Sequence, residues 1–152
     1  ENALNALNDF NYLPHRIELI ESSDNINWYN DSKSTNCAST KAALECIDEK
    51  IILILGGSMK DMSYESLSPL INQKVKLVIF IGENKEYIKR QLKITAKTID
   101  AKSIESAVEI SRSHSSVNDN ILLSPASPSF DMFENYEERG AAFISAVQNI
   151  VK

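Results

Sequence analysis

The chain has 152 residues, 43% hydrophobic and 24% charged, and a formal net charge of −5. That length suits one domain, able to bury roughly two thirds of its unfolded surface. The acidic balance argues against nucleic acid or an anionic membrane as the main partner, since both call for a basic face, and no apolar run approaches the roughly 18–20 residues of a membrane span.

Taken in chain order, Leu4, Leu7 and Phe10 fall at helical spacing. Pro14 then biases Leu13 away from helix. Residues 1–13 therefore read as the tail of a preceding domain and a linker, and 14–152 as the domain itself. A polar linker with one proline, Asn11–Pro14, is expected to act as a hinge. Two short strands, Arg16–Ile20 and Asn27–Asn30, flank the polar turn Ser22-Ser23-Asp24-Asn25. The lone Trp28 lies on the second strand and is expected in the core. A helix follows from Cys37 to about Ile47, with Ala38, Ala42 and Cys46 on one face.

Ile51–Leu55 is a continuous apolar strand ending at Gly56-Gly57. The pattern then predicts helix Tyr64–Gln73, strand Val75–Ile81 closed by Gly82, and helix Glu83–Leu92. A short strand near Lys97–Ile99, helix Ser103–His114, strand Ile121–Leu123 and a final helix over about Tyr136–Val151 complete it. Cys37 and Cys46 lie nine residues apart on one helix, too far along its axis to bridge. No histidine is near either, so zinc is not supported, and the N-terminus lacks a secretory pattern. The expectation is a cytoplasmic protein with two structural thiols.

Strands apolar on both faces and separated by helices imply an α/β fold: a Rossmann-like, doubly wound, mostly parallel sheet with helices on both faces. In such a sheet the strand-to-helix loops emerge at the carboxyl edge, where ligands bind. Those loops are Asp31–Asn36, Gly56–Asp61, Gly82–Asn84 and Ser124–Asp131, and two of them carry a lysine among hydroxyls or glycines. Cations, hydroxyls and free helix amides suit phosphate or carboxylate oxygens. Each loop also has a plainer reading. Gly56-Gly57 permits a turn, Asp31 or Asn36 caps a helix, and serine and proline are ordinary loop residues. Asp131, Glu134, Glu137 and Glu138 suit the dipole at the start of the last helix. His15 and His114 have no partner in sequence and are read as non-catalytic. The four glycines, at 56, 57, 82 and 140, cannot spell a P-loop or a Gly-x-Gly-x-x-Gly dinucleotide motif.

Three ordered motifs carry a resemblance. They are Leu13-Pro14-His15-Arg16 followed by Asn30–Asn36, then Leu53–Gly57 with Lys60, then Leu122–Gly140. Together they resemble the C-terminal domain of the Mur ligases, specifically the D-glutamate-adding member, from about Leu4 to the end, with weaker similarity in Glu83–Asn120. The resemblance implies one domain of a three-domain enzyme that joins D-glutamate to UDP-N-acetylmuramoyl-L-alanine through an acyl phosphate, using ATP and Mg2+. It implies that Thr35, Lys60 and Ser129, with amides near Phe130 and Tyr136, hold the two carboxylates of D-glutamate. Arg16, Asp31 and Lys33 would reach the nucleotide, Asp31 at ribose hydroxyls and the two cations at phosphates.

On this reading the domain alone holds no catalytic residue, metal or cofactor, is inactive in isolation, and belongs to a monomer. The second loop departs from the family's Gly-Gly-x-Asp-Lys-Gly: here it reads Gly56-Gly57-Ser58-Met59-Lys60-Asp61, keeping the lysine's distance from the glycines and losing the acid and the following glycine. Two alternatives stay open, a sister amide ligase for another amino acid and a non-catalytic α/β binding module, the latter expected to have an acidic pocket.

Overall fold

The computed structural model describes residues 13–152. The helical spacing expected over Leu4–Phe10 and the linker residues Asn11 and Tyr12 lie outside the described residues. The elements are β1 (Glu18–Ser23), β2 (Ile26–Asn30), α1 (Cys37–Cys46), β3 (Ile51–Leu55), α2 (Ser68–Lys74), β4 (Val75–Phe80), α3 (Lys85–Gln91), β5 (Lys97–Asp100), α4 (Ile104–His114), β6 (Asn120–Leu123) and α5 (Tyr136–Ile150). The strands form one sheet in the order β1-β2-β6-β3-β4-β5. Only β1 runs antiparallel to its neighbour; the remaining pairings are parallel. The mostly parallel α/β sheet expected from the sequence is what the chain forms.

The pleat explains the apolar runs. In β3, Ile52 and Ile54 point into one core with Trp28, Phe143 and Val147, beneath α4 and α5. Ile51, Leu53 and Leu55 point into the other, with Leu44, Leu67, Ile71 and Ile88 from the opposite helices. A strand covered on both faces has no polar side to display. The hairpin between β1 and β2 turns on Asp24 and Asn25, at φ 54° and 57°. Asp and Asn tolerate that left-handed pair, which matches the twist of the flanking strands.

Three details differ from the sequence reading. Strand β1 starts at Glu18 instead of Arg16, because Ile17 takes φ 45° and gives its N–H to Asp31 Oδ1. The predicted helix over Tyr64–Gln73 is a 3-10 turn, Glu65–Leu67, leading into α2. A continuous helix would place Pro69 in its interior, against the carbonyl of Glu65; at the start of α2 the missing N–H costs nothing. In α1, Ala38, Ala42 and Cys46 do share a face, but it is the exposed one, and Thr40, Ala43 and Leu44 are buried. The bulk of Leu44 and Ile47 turns the helix, since burying them outweighs burying two alanine methyls. No helix among the described residues is long and apolar enough to cross a membrane.

Trp28, fully buried as expected, packs at a tilt on Phe143 with ring centroids 6.3 Å apart. Phe143→Ala is expected to cost about 3–5 kcal/mol of stability. Urea unfolding followed by the fluorescence of the single tryptophan measures this; a loss below about 1 kcal/mol would mean that the ring is not part of a close-packed core.

Candidate functional site

Parallel registers bring the ends of β2, β6, β3 and β4 together: Asn30 faces Leu123, Leu123 faces Ile54, and Leu55 faces Phe80. The loops after β2, β3 and β6 meet at this edge around a cavity of about 400 Å³. Thr35, Lys60, Ser129, Phe130 and Tyr136, all singled out in the sequence, line it together with Glu137. Thr35 is set by its neighbour Asn36, whose Oδ1 caps α1 by accepting from Ser39 N at 2.9 Å. Ser129 is buried, and its carbonyl accepts from Phe133 N at 2.8 Å. Phe130, next in the chain, is 73% exposed. Tyr136 opens α5, which Asn135 caps by accepting from Glu138 N at 2.8 Å. Through a hydrogen bond, Glu137 helps to push the Tyr136 hydroxyl above its ordinary pKa.

The residues expected at the nucleotide are placed differently. Arg16 and Lys33 are half-buried on adjoining segments, joined where Lys33 N donates to the His15 carbonyl at 2.9 Å. Asp31, expected at ribose hydroxyls, has its carboxylate engaged within the domain. It is 1% exposed; Oδ1 accepts from Ile17 N at 3.1 Å, and Oδ2 accepts from the hydroxyls of Ser34 and Ser124. Burial pushes its pKa up, against those hydrogen bonds and the nearby Arg16 charge. Here Asp31 pins a strained turn, with β-branched Ile17 at positive φ beside Arg16. His15 is packed as well: its ring lies edge-on to Tyr136, its Nδ1 is 2.9 Å from Asn30 Nδ2, and a side chain at Gly140 would collide with it.

Two buried polar side chains at this edge escaped the sequence reading. Arg139 is fully buried; Nε donates to Ser32 Oγ at 2.9 Å, Nη2 to the Ser32 carbonyl at 2.7 Å, and Nη1 to the Ser127 carbonyl at 2.9 Å. Burial lowers its pKa to about 10, with Asp131 opposing. The signal for it was its place: a cation in a helix's first turns faces the positive end of the dipole and needs a compensating reason. The other is Asn84, fully buried beneath the Gly56–Asp61 loop. An asparagine at a strand-to-helix junction reads as a cap, and nothing in the sequence distinguished it. Gly57 does more than turn the chain: a Cβ there would run into the Pro128 carbonyl and press on Arg139, so the two loops touch backbone to backbone.

Asp131 likewise does more than face a dipole, since its carboxylate accepts from Ser58 Oγ at 3.3 Å and Glu83 N at 3.1 Å. Cys37 stands close enough to feel the Lys60 charge, yet burial drives its thiol up to about 11, leaving it inert near neutrality. Among the described residues no group of three or more His, Cys, Asp or Glu gathers to hold a metal.

The Mur ligase glutamate ligase domain model matches residues 15–127. This chain belongs to that family. The Mur ligase domain is 44% identical over 146 residues to the UDP-N-acetylmuramoylalanine--D-glutamate ligase of Geobacter sp. (strain M21), covering 96% of this chain and 32% of that protein. It is 42% identical over 143 residues to the ligase of the same name from Bdellovibrio bacteriovorus, covering 94% and 31%. The Mur ligase domain thus spans about a third of the length of the curated relatives it matches. Among solved structures, a murein peptide ligase from Psychrobacter arcticus aligns with TM-score 0.62 at 16% identity, over 100% of this chain and 34% of that one. The MurF ligase of Thermotoga maritima, in complex with ADP, aligns with TM-score 0.60 at 16% identity, over 98% and 37%. At that identity these two establish the fold alone.

Asp31→Ala should cost the Mur ligase domain about 2 kcal/mol or more near neutral pH, because the buried donors that bond to it lose their acceptor. Asp31→Asn tests the titration. A carboxyl whose folded pKa lies above its ordinary 3.8 favours folding below that value, and the benefit is lost as pH rises through the folded pKa. Wild-type stability minus that of Asp31→Asn is therefore expected to fall as pH rises from about 3 toward 7 in urea unfolding. A difference that grows with pH would contradict this placement of Asp31.

Proposed function

We propose that this domain is the amino-acid-binding part of a longer ligase that adds D-glutamate to UDP-N-acetylmuramoyl-L-alanine in peptidoglycan precursor synthesis. The observation that carries the reading is the cavity itself. Lys60, Thr35 and Ser129 converge on it from three loops, which gives separate donors for the two carboxylates of one small molecule. Its volume of about 400 Å³ lies within the ordinary range of small-molecule pockets. Glu137, an acid on the same wall, suits the ammonium of an amino acid before its nitrogen reacts. A non-catalytic module with an acidic pocket would not need this lysine and pair of hydroxyls.

In the proposed reaction the UDP-sugar's carboxylate takes the terminal phosphoryl group of ATP, releasing ADP, and the amino group of D-glutamate then attacks the acyl carbon, loses a proton and expels phosphate to leave the amide; Mg2+ would offset the charge of the phosphates. This chain carries neither a triphosphate loop nor, among the described residues, an acid cluster for the metal, so both would be held mainly by other parts of the ligase. What these residues do is bind and orient D-glutamate. Arg16 and Lys33 are proposed to reach nucleotide phosphates when the domain closes, with Asp31 holding the turn that presents Arg16. Exposed Phe130 on the cavity rim and Met59 beside Lys60 favour closure, since apolar side chains there would be covered and water kept from the acyl phosphate. The hinge is proposed near Asn11–Pro14. A monomeric, cytoplasmic enzyme fits this reading.

In the full-length ligase, Lys60→Ala is expected to raise KM for D-glutamate about ten- to a hundredfold, a charge-assisted hydrogen bond being worth about 1.5–3 kcal/mol. Lys33→Ala should act chiefly on KM for ATP. Steady-state kinetics with each substrate varied in turn separates the two, and equal effects of both variants on both substrates would overturn the assignment.

A further inference from the structure

The Gly56–Asp61 loop is where the chain departs from the family pattern; Pro125, Pro128 and Asp131 of the last motif bond to it, and so do residues outside every motif. Asn84 occupies the capping position of α3 yet does not cap it. Its Oδ1 instead accepts from Gly57 N at 2.9 Å, and its Nδ2 lies 3.0 Å from the Ser58 carbonyl, 2.9 Å from Ser127 Oγ and 3.1 Å from the Tyr64 hydroxyl. Its backbone N–H donates to the Gly57 carbonyl at 3.1 Å. The preceding residue joins in, with Glu83 Oε1 accepting from Met59 N at 2.9 Å. The backbone of Gly57, Ser58 and Met59, immediately before Lys60, is thus gripped from the loop after β4.

Lys60 is exposed, with no ion pair among the described residues. Its aim therefore depends on the backbone that leads into it. A carboxamide suits the task because one group both accepts an N–H and donates to a carbonyl.

We propose that Asn84 is a positioning residue for D-glutamate: by fixing the Gly57–Ser58 backbone from below, with Glu83 holding Met59, it aims Lys60 into the carboxylate cavity. The proposal rests on the reading of Lys60 given above. Without the carboxamide, the Gly57 N–H and Ser58 carbonyl lose buried partners and the loop relaxes. A shift of about 1 Å at the ammonium is enough to lose a substrate contact.

The test is a double-mutant cycle in the full-length ligase, with KM for D-glutamate and for ATP measured in wild type, Asn84→Ala, Lys60→Ala and the double variant. Asn84→Ala should raise KM for D-glutamate about tenfold and leave KM for ATP within about twofold, and in the Lys60→Ala background it should add no more than about twofold. A tenfold penalty that persists in that background, or equal losses for both substrates, would overturn the positioning role and leave Lys60's role intact. A Lys60→Ala enzyme with unchanged KM for D-glutamate would overturn the reading of Lys60 itself. If Asn84→Ala does not fold, Asn84→Asp serves in the same cycle. It keeps the shape and the acceptor for Gly57 N–H but has no donor for the Ser58 carbonyl.

Discussion

A guanidinium can be buried only where its N–H groups are met by acceptors, and the loops at the carboxyl edge are arranged to meet those of Arg139. Ser32 and Ser127 come from loops far apart in sequence, and Arg139 joins them from the fourth residue after Asn135. The Ser32 hydroxyl passes the connection on by donating to the Tyr136 carbonyl at 2.7 Å. Gly57 brings the β3 loop against the same group. These contacts use neutral oxygens, and Arg139 has no carboxylate within ion-pair reach among the described residues. Its charge is offset only at longer range, by Asp131. A chain of net charge −5 therefore keeps a positive centre beneath the one edge where an anion is proposed to bind.

The core and this edge divide the work. Two apolar clusters, one on each side of the sheet, hold the strands parallel and in register, and that register fixes where the loops emerge. The edge is polar and interlocked: Asp31 with Ser34 and Ser124, Asn84 with Tyr64 and Ser127, Asp131 with Ser58. It also carries strain, at His15, Ala126 and β-branched Ile17, the last held at positive φ by Asp31 next to Arg16. Strain of this sort persists only where surrounding bonds over-determine it, which places a preformed turn between the linker and the binding edge.

Elements whose period follows burial were legible in the sequence. The strand Ile51–Leu55 and the core position of Trp28 are direct consequences of apolar pattern, and the loops at the sheet edge follow from parallel topology. The five cavity residues were found through motif resemblance, and the sheet then brought them together. What could not be read depended on long-range partners. The face of α1 was decided by Leu44 and Ile47 packing on the sheet, which alanine spacing could not report. The bonds that hold the Asp31 carboxylate include one from Ser124, ninety-three positions away, which no local pattern could report. Asn84 and Arg139 act on loops distant in sequence; no local pattern marked Asn84, and the place of Arg139 in the first turns of a helix could not say which carbonyls it meets.

Three loops at the carboxyl edge are proposed to form one site for a dicarboxylate amino acid. A structure of the full-length ligase with D-glutamate bound tests it most directly. The expected result places one carboxylate within hydrogen-bonding distance of Lys60 Nζ and the other against Thr35 or Ser129, with the amino group open toward the remainder of the enzyme. D-glutamate bound instead in the polar hollow at the opposite edge, lined by Asn25, Asn27, Asn118 and Asn120, or with Lys60 turned away from it, would contradict the account.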